Sequence, residues 1–248
     1  MNTVEMFGMK INKLNIEDAV QEIVRRAGLA EKTYLVTPNV DHVLRYQADQ
    51  KFRKVYKSAG LVLADGYPVV WASRLLRKPL PERVAGSDLL GKICAAGQGK
   101  MSVFFLGGSR KTPEKLVNKF QEKYPRLKIA GAYSPPKKEL RDTVGVKKIV
   151  KLINDSGADL LFVGLGSPKQ EYFIYDNWQE LNVKLAMGVG IALDYSAGLM
   201  PRAPVWLRNI GLEWLYRLIR EPFRLFWRYF KALFFFPLLV VKEFFRRT

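Results

Sequence analysis

An alternating α/β domain with a doubly wound, Rossmann-like parallel sheet and a basic, amphipathic C-terminal helical appendage is the fold class predicted for this chain of 248 residues. Three observations carry that expectation. Short β-rich apolar runs recur and end in Gly, Asp or Asn; helical patterns lie between them; and beyond Pro201 and Pro204 the alternation yields to a tail crowded with aromatics and arginines.

The opening VEMFGMKIN sets Gly8 between two short apolar runs, which predicts a small hairpin. Residues 16–28 place Ile16, Ala19, Val20, Ile23 and Val24 on one helical face and stop at Gly28. Strands are expected at 34–39, 61–66, 101–108, 128–134, 160–166 and 184–190, where apolar and β-branched residues run into a loop, as a buried parallel strand does. A helix is expected over 112–124, with Thr112 as cap and Pro113 at its first position. Another is expected over 138–156, with Val144, Ile149, Leu152 and Ile153 as its apolar stripe. The chain thus divides into an α/β domain over 1–200 and an appendage over 201–248.

Composition narrows the function. Hydrophobic residues make up 48% and charged residues 26%, which is globular usage. The single cysteine, Cys94, excludes an intramolecular disulfide and reads as a small core residue. The N-terminal stretch has no basic segment leading into an apolar run, so no secretory signal is expected and a cytoplasmic protein is. A net charge of +18 calls for an anionic partner, and residues 201–248 carry ten Lys/Arg against three Asp/Glu. No RNP motif, zinc-finger spacing or helix-turn-helix pattern accompanies that charge, which argues against nucleic acid.

In an open sheet of this kind, ligands bind beyond the carboxyl ends of the strands. Thr37, Asn39, Asp65, Gly107, Gly108, Gly164, Gly166, Lys169 and Gln170 all follow an apolar run there and should converge on one crevice. LGGS (106–109) and GLGSPKQE (164–171) are glycine-rich turns that let backbone N–H groups approach phosphate oxygens. Neither is a dinucleotide fingerprint or a Walker P-loop, so redox and ATPase readings are poor; two such turns in one basic sheet point toward a nucleotide diphosphate. From spacing alone, Asp65 reads first as a helix cap for YPVVWASRLL, with a general base at the strand tip as the alternative. His42, the only histidine, reads as a hydrogen-bonded structural residue. No D-x-D pair, H-E-x-x-H or Cys/His cluster offers a metal cage, so cationic stabilisation of a leaving diphosphate would fall to Arg83 and Lys169 or to tail arginines.

These loops resemble the WecG/TagA/CpsF family of bacterial glycosyltransferases. The matching stretches are TPNVDHV (37–43), LADGYPVVWASRLL (63–76), PERVAGSDLL (81–90), FFLGGS (104–109), GLGSPKQE (164–171), GVGIALDYSAG (188–198), RAP (202–204) and GLEWLYRLIREPFRLFWRY (211–229). Ile191-Ala192 departs from the family's usual second glycine and small residue. The resemblance implies a metal-independent, inverting transfer of N-acetylmannosamine from a UDP-sugar donor to the 4-hydroxyl of GlcNAc on an undecaprenyl diphosphate acceptor, as in wall teichoic acid synthesis, with no cofactor. It implies Asp65 as base, against the cap reading, with Arg83 and Gln170 in turnover and Thr37 and Asn39 lining the pocket. The glycine loops would hold UDP, and Arg217, Arg224 and Arg228 would complete the site from the tail. A sister transferase with another UDP-sugar and a non-catalytic nucleotide-sugar binder remain as rivals.

In the tail, ALFFFPLLVV (232–241) is the longest apolar run and contains Pro237, too short for a span of about 20 residues. Arg217, Arg220, Arg224, Arg228 and Lys231 step as one helical stripe, opposite Leu215, Ile219, Phe223, Phe226, Trp227 and Phe230. That is the pattern of a helix lying on an anionic membrane surface, here the inner face of the plasma membrane. Homo-oligomerisation through the same apolar face is the alternative.

Overall fold

The computed structural model describes residues 2–29 and 31–246, so residues 247 and 248 of the expected appendage lie outside the described residues. The chain opens with an antiparallel hairpin of β1 (Thr3–Met6) and β2 (Met9–Asn12), as expected. Its turn residues Phe7 and Gly8 have φ of 54° and 78°, the paired positive values that match the twist of the flanking strands. Helix α1 (Ile16–Ala27) follows, its first turn capped by the Asn15 side chain, and buries Ala19, Val20, Ile23 and Ala27.

The central sheet is built from β3 (Thr33–Val36), β4 (Leu61–Val62), β5 (Ser102–Gly107), β6 (Lys128–Tyr133), β7 (Leu160–Gly164) and β8 (Leu185–Gly188). All six expected strands form, pair in parallel and stand in the order β4-β3-β8-β7-β5-β6. Between β3 and β4 lie α2 (Val40–Ala48) and α3 (Gln50–Lys57); α4 (Tyr67–Leu75) and α5 (Gly86–Ala96) follow β4. Helices α6 (Thr112–Lys123), α7 (Thr143–Asp155) and α8 (Lys169–Asp176) make the remaining crossovers. Successive residues of a strand face opposite sides of a sheet, so each strand feeds two cores. Tyr34, Phe104, Leu106, Leu161 and Val163 go to one face; Leu35, Val103, Phe105, Leu160 and Phe162 go to the other. Phe105 and Phe162 stack at 5.6 Å across β5 and β7. Cys94 is fully buried in the second core, which pushes its thiol well above the ordinary range.

Three local expectations are corrected. Val144 and Leu152 are exposed, because α7 begins at Thr143 and turns Gly145, Ile149, Val150 and Ile153 inward instead. Thr112 is the first residue of α6 and not its cap; its hydroxyl donates to Asp194. Asp65 does not cap α4: Gly66 occupies that position at φ 111°, and no side chain bonds the first turn.

After α9 (Ala192–Ser196), the tail folds as α10 (Val205–Asn209), α11 (Glu213–Arg220) and α12 (Pro222–Phe245). The expected continuous cationic stripe over 217–231 is interrupted, because Glu221 leaves helical geometry and Pro222 starts a new helix. Helix α12 rests on α2 and the hairpin, burying Leu225, Phe236 and Val240, with the Phe236 ring 5.6 Å from Phe7. No helix among the described residues is long and apolar enough to cross a membrane.

Candidate active site

The tips of β3 and β4 are stitched beyond the sheet. Leu63 N–H donates to Val36 O at 3.0 Å and Asp65 N–H to Pro38 O at 2.9 Å, so Asp65 lies beside the Thr37–Asn39 segment. Val84 N–H donates to Ala64 O at 2.8 Å and draws the Arg83 loop alongside. A methyl group placed on Gly86, the first residue of α5, would lie 3.4 Å from Gly188 O and 3.6 Å from Thr37 Oγ1. The carboxyl ends of β3, β4 and β8 therefore meet the N-terminus of α5, which no side chain caps. Such an end carries free N–H donors and partial positive charge. Asn39 caps α2 through His42 N–H at 3.1 Å.

Asp65 is the electrostatic centre of this crevice. Among the described residues no side chain is hydrogen-bonded to its carboxylate. Burial lifts that carboxyl from the ordinary 3.8 to about 6; Arg83 draws it down, Glu213 and Asp88 push it up, and Arg217 draws it down again. A carboxylate in this range is ionised at neutral pH yet basic enough to accept a proton.

Arg83 belongs to an ion network that binds the tail to the body. Its guanidinium stands 2.5 Å from Asp88 and 3.8 Å from Glu213, over the Tyr67 ring at 5.4 Å. Arg202 bridges the same carboxylates at 2.7 and 3.1 Å, and Arg208 adds a 3.4 Å contact to Asp88. Three cations share two acids, so the cluster keeps positive charge beside Asp65.

The glycine loops sit where β5 and β7 part, and they are packed together. A Cβ on Gly107 would fall 2.5 Å from Gly164 O, one on Gly164 would fall 2.8 Å from Gly190 O, and one on Gly108 would strike Thr112. Only Gly166, at φ 75° with nothing within 4 Å, borders open space. The start of α6 is already met by an anion: Ser109 N–H donates to the Asp194 carboxylate at 2.9 Å. Gln170 is buried, donating to Glu171 Oε1 at 2.7 Å and accepting from Gly190 N–H at 2.9 Å, so it ties α8 to the β8 loop. Lys169 turns to solvent. His42 is the structural residue expected, its Nδ1 2.7 Å from the Tyr56 hydroxyl, and burial holds it below its ordinary 6.5 and hence neutral.

The tail arginines divide. Arg217 is half-buried and close enough to Asp65 to act on its ionisation, with a buried Nε that has no hydrogen-bond partner among the described residues. Arg228 Nε lies 3.5 Å from the Asp41 carboxylate at the start of α2. Arg224 points outward, paired with Glu221 at 2.6 Å, and the crevice does not include it.

Comparison with known proteins decides the kind of molecule this is. A profile of the glycosyl transferase WecG/TagA/CpsF family matches residues 4–248. The chain belongs to that family. It is 32% identical to a Bacillus spizizenii N-acetylglucosaminyldiphosphoundecaprenol N-acetyl-beta-D-mannosaminyltransferase, over 88% of this chain and 84% of the relative. Proteins of the same name from Bacillus subtilis (36% identity; 79% of this chain, 73% of the relative) and Staphylococcus aureus strain MRSA252 (32%; 74% and 70%) are also similar.

Within this WecG/TagA/CpsF-family chain, sequence reasoning missed Asp88, Glu213, Arg202 and Arg208. RAP (202–204) and PERVAGSD were visible as motifs, but nothing in their spacing says that the two segments pair. Glu171, at the end of the GLGSPKQE loop, has one carboxylate oxygen, Oε2, buried without a hydrogen-bond partner among the described residues.

Proposed function

We propose that this glycosyltransferase moves N-acetylmannosamine from UDP to the 4-hydroxyl of GlcNAc on undecaprenyl diphosphate, with inversion, for a wall teichoic acid linkage unit or a related surface polymer. The observation that carries the reading is Asp65, an enclosed carboxylate with no hydrogen-bond partner among the described residues, raised to about 6 beside Arg83. The names of the similar proteins supply the acceptor and the sugar.

In this mechanism Asp65 accepts the proton of the acceptor hydroxyl as its oxygen bonds to the anomeric carbon. The bond from that carbon to the UDP oxygen breaks on the opposite face. Negative charge gathering on the departing diphosphate is met by Arg83, Arg217 and the uncapped start of α5, without need of a protein-held metal. Thr37 and Asn39 line the sugar's approach. Gln170 holds the β8 loop in place, and the open Gly166 turn is the part of the glycine loops with room for UDP.

The tail lies on the inner face of the plasma membrane in this reading. Helices α11 and α12 expose Trp214, Ile219, Phe223, Trp227, Leu233 and Leu238, while Arg220, Arg224 and Lys231 remain outward for anionic headgroups. The test is UDP release by the full chain with UDP-N-acetylmannosamine and a lipid-linked GlcNAc diphosphate, beside Asp65→Asn. Acceptor-dependent release that collapses in the variant supports the reading. Release with another UDP-sugar alone reassigns the donor, and undiminished release by the variant removes Asp65 as base.

A further inference from the structure

Beside the Asp65 crevice a second feature remains unassigned: a cavity of about 410 Å³ between α4, α10 and the start of α5. Clefts of roughly 300–1,000 Å³ are the usual size for small-molecule sites. Tyr67, Trp71, Arg74, Arg83, Lys92 and Arg208 line it. Its acids are already engaged, Asp88 by three arginines and Glu82 by Ile16 N–H at 2.6 Å. Arg74 has no ion-pair partner among the described residues, and Lys92 reaches only the exposed Glu17, at 2.9 Å. Gly211, at φ 80°, lets α10 close against Tyr67, whose hydroxyl donates to Asn209 O at 3.0 Å.

The groove is amphiphilic. Trp71 is 54% exposed in it, Ile16 and Val70 also line it, and the walling helices α4 and α10 further expose Leu75, Val205 and Trp206. A nucleotide sugar has nothing to set on that apolar rim; a prenyl diphosphate has. Helix α4 also supplies a ruler. Tyr67, Trp71 and Arg74 share one face, and Arg74 lies about 10 Å along the axis from Tyr67, at 1.5 Å per residue. The inner end, at Tyr67 and Arg83, adjoins Asp65. A sugar whose 4-hydroxyl meets Asp65 would carry its diphosphate about one ring further out, toward Arg74 and Lys92.

We propose that this groove is the acceptor site: Arg74, Lys92 and Arg208 bind the diphosphate of the lipid-linked substrate, and Trp71 with its apolar neighbours receives the first isoprene units. The inference rests on the transferase reading for the identity of the acceptor, but its binding chemistry can be tested apart from turnover.

The experiment uses the full chain and the variants Arg74→Glu and Trp71→Ala, with Lys147→Glu on the far helix α7 matching the charge change. Farnesyl diphosphate and UDP are titrated separately by calorimetry, and initial rates are measured against each substrate. Arg74→Glu and Trp71→Ala should each weaken farnesyl diphosphate and raise the acceptor KM about tenfold, while UDP affinity and donor KM stay within about twofold. Lys147→Glu should change neither. Unaltered farnesyl diphosphate binding and acceptor KM would overturn the proposal. So would a loss confined to UDP, which would give the groove to the donor's diphosphate. If the wild type transfers no sugar, the transferase reading fails, and the farnesyl diphosphate titration still decides the groove.

Discussion

Replacing Asp65 with Asn should cost activity and increase stability, and the two effects come from one cause. The native state encloses a carboxyl whose value has risen from 3.8 to about 6. Each unit is worth about 1.4 kcal/mol, so the full shift corresponds to roughly 3 kcal/mol of penalty for holding the charge at pH 8. Asp65 keeps some solvent contact, which reduces the expected gain to about 1–3 kcal/mol. The sign follows from proton counts. Between about pH 4 and 6 the folded state binds the proton more tightly, so wild-type stability falls as pH rises through that window and then levels. Asp65→Asn lacks this component. It should melt about 2–6 °C above wild type at pH 8, and the gap should close near pH 4, where the carboxyl is protonated in both states. Turnover should fall by about 10²–10⁴. Wild-type rate should decline as pH is lowered through about 6, since the base is then protonated. Thermal melts across pH and initial rates of UDP release measure both. A variant no more stable than wild type at pH 8, or one with near-normal turnover, would refute the account of Asp65 as an enclosed base.

Gly107→Ala meets Gly164 O at 2.5 Å from a residue at φ 111°, so it should destabilise by at least about 2 kcal/mol in denaturant titration. Gly166→Ala meets nothing and should cost about 1 kcal/mol from backbone conformation; if that turn admits UDP, donor KM rises as well. Phe236→Ala removes a buried ring that packs on Phe7; a loss of about 3 kcal/mol should make α12 susceptible to limited proteolysis while the α/β body resists. His42 is held neutral, so the unfolded chain gains a proton that the native state refuses, and stability falls as pH drops below about 6.5. His42→Gln should flatten that part of the pH–stability curve.

Periodic, local features were legible without the fold. The six strands announce themselves because apolar runs between helical patterns can bury only in a parallel sheet, and the Phe7-Gly8 turn and Gly28 stop are written in adjacent residues. The convergence of Thr37, Asn39 and Asp65 follows from the same logic, since strand tips of one sheet share an edge. Tertiary structure decided what depends on distant partners. Residue spacing does not reveal that Asp194 meets the start of α6, leaving Gly166 as the open glycine turn. Nor does a helical wheel show that Glu221-Pro222 resets the tail, turning Arg217 and Arg228 toward the body and leaving Arg224 outside. Asp65 is the plainest case. Its place beside Gly66 reads as a cap, and only burial in the folded crevice, helped by Glu213 and Asp88 and opposed by Arg83 and Arg217, raises its basicity through groups from segments far apart in the chain. Backbone preference is set by neighbours in sequence, whereas desolvation and charge coupling are set by neighbours in space.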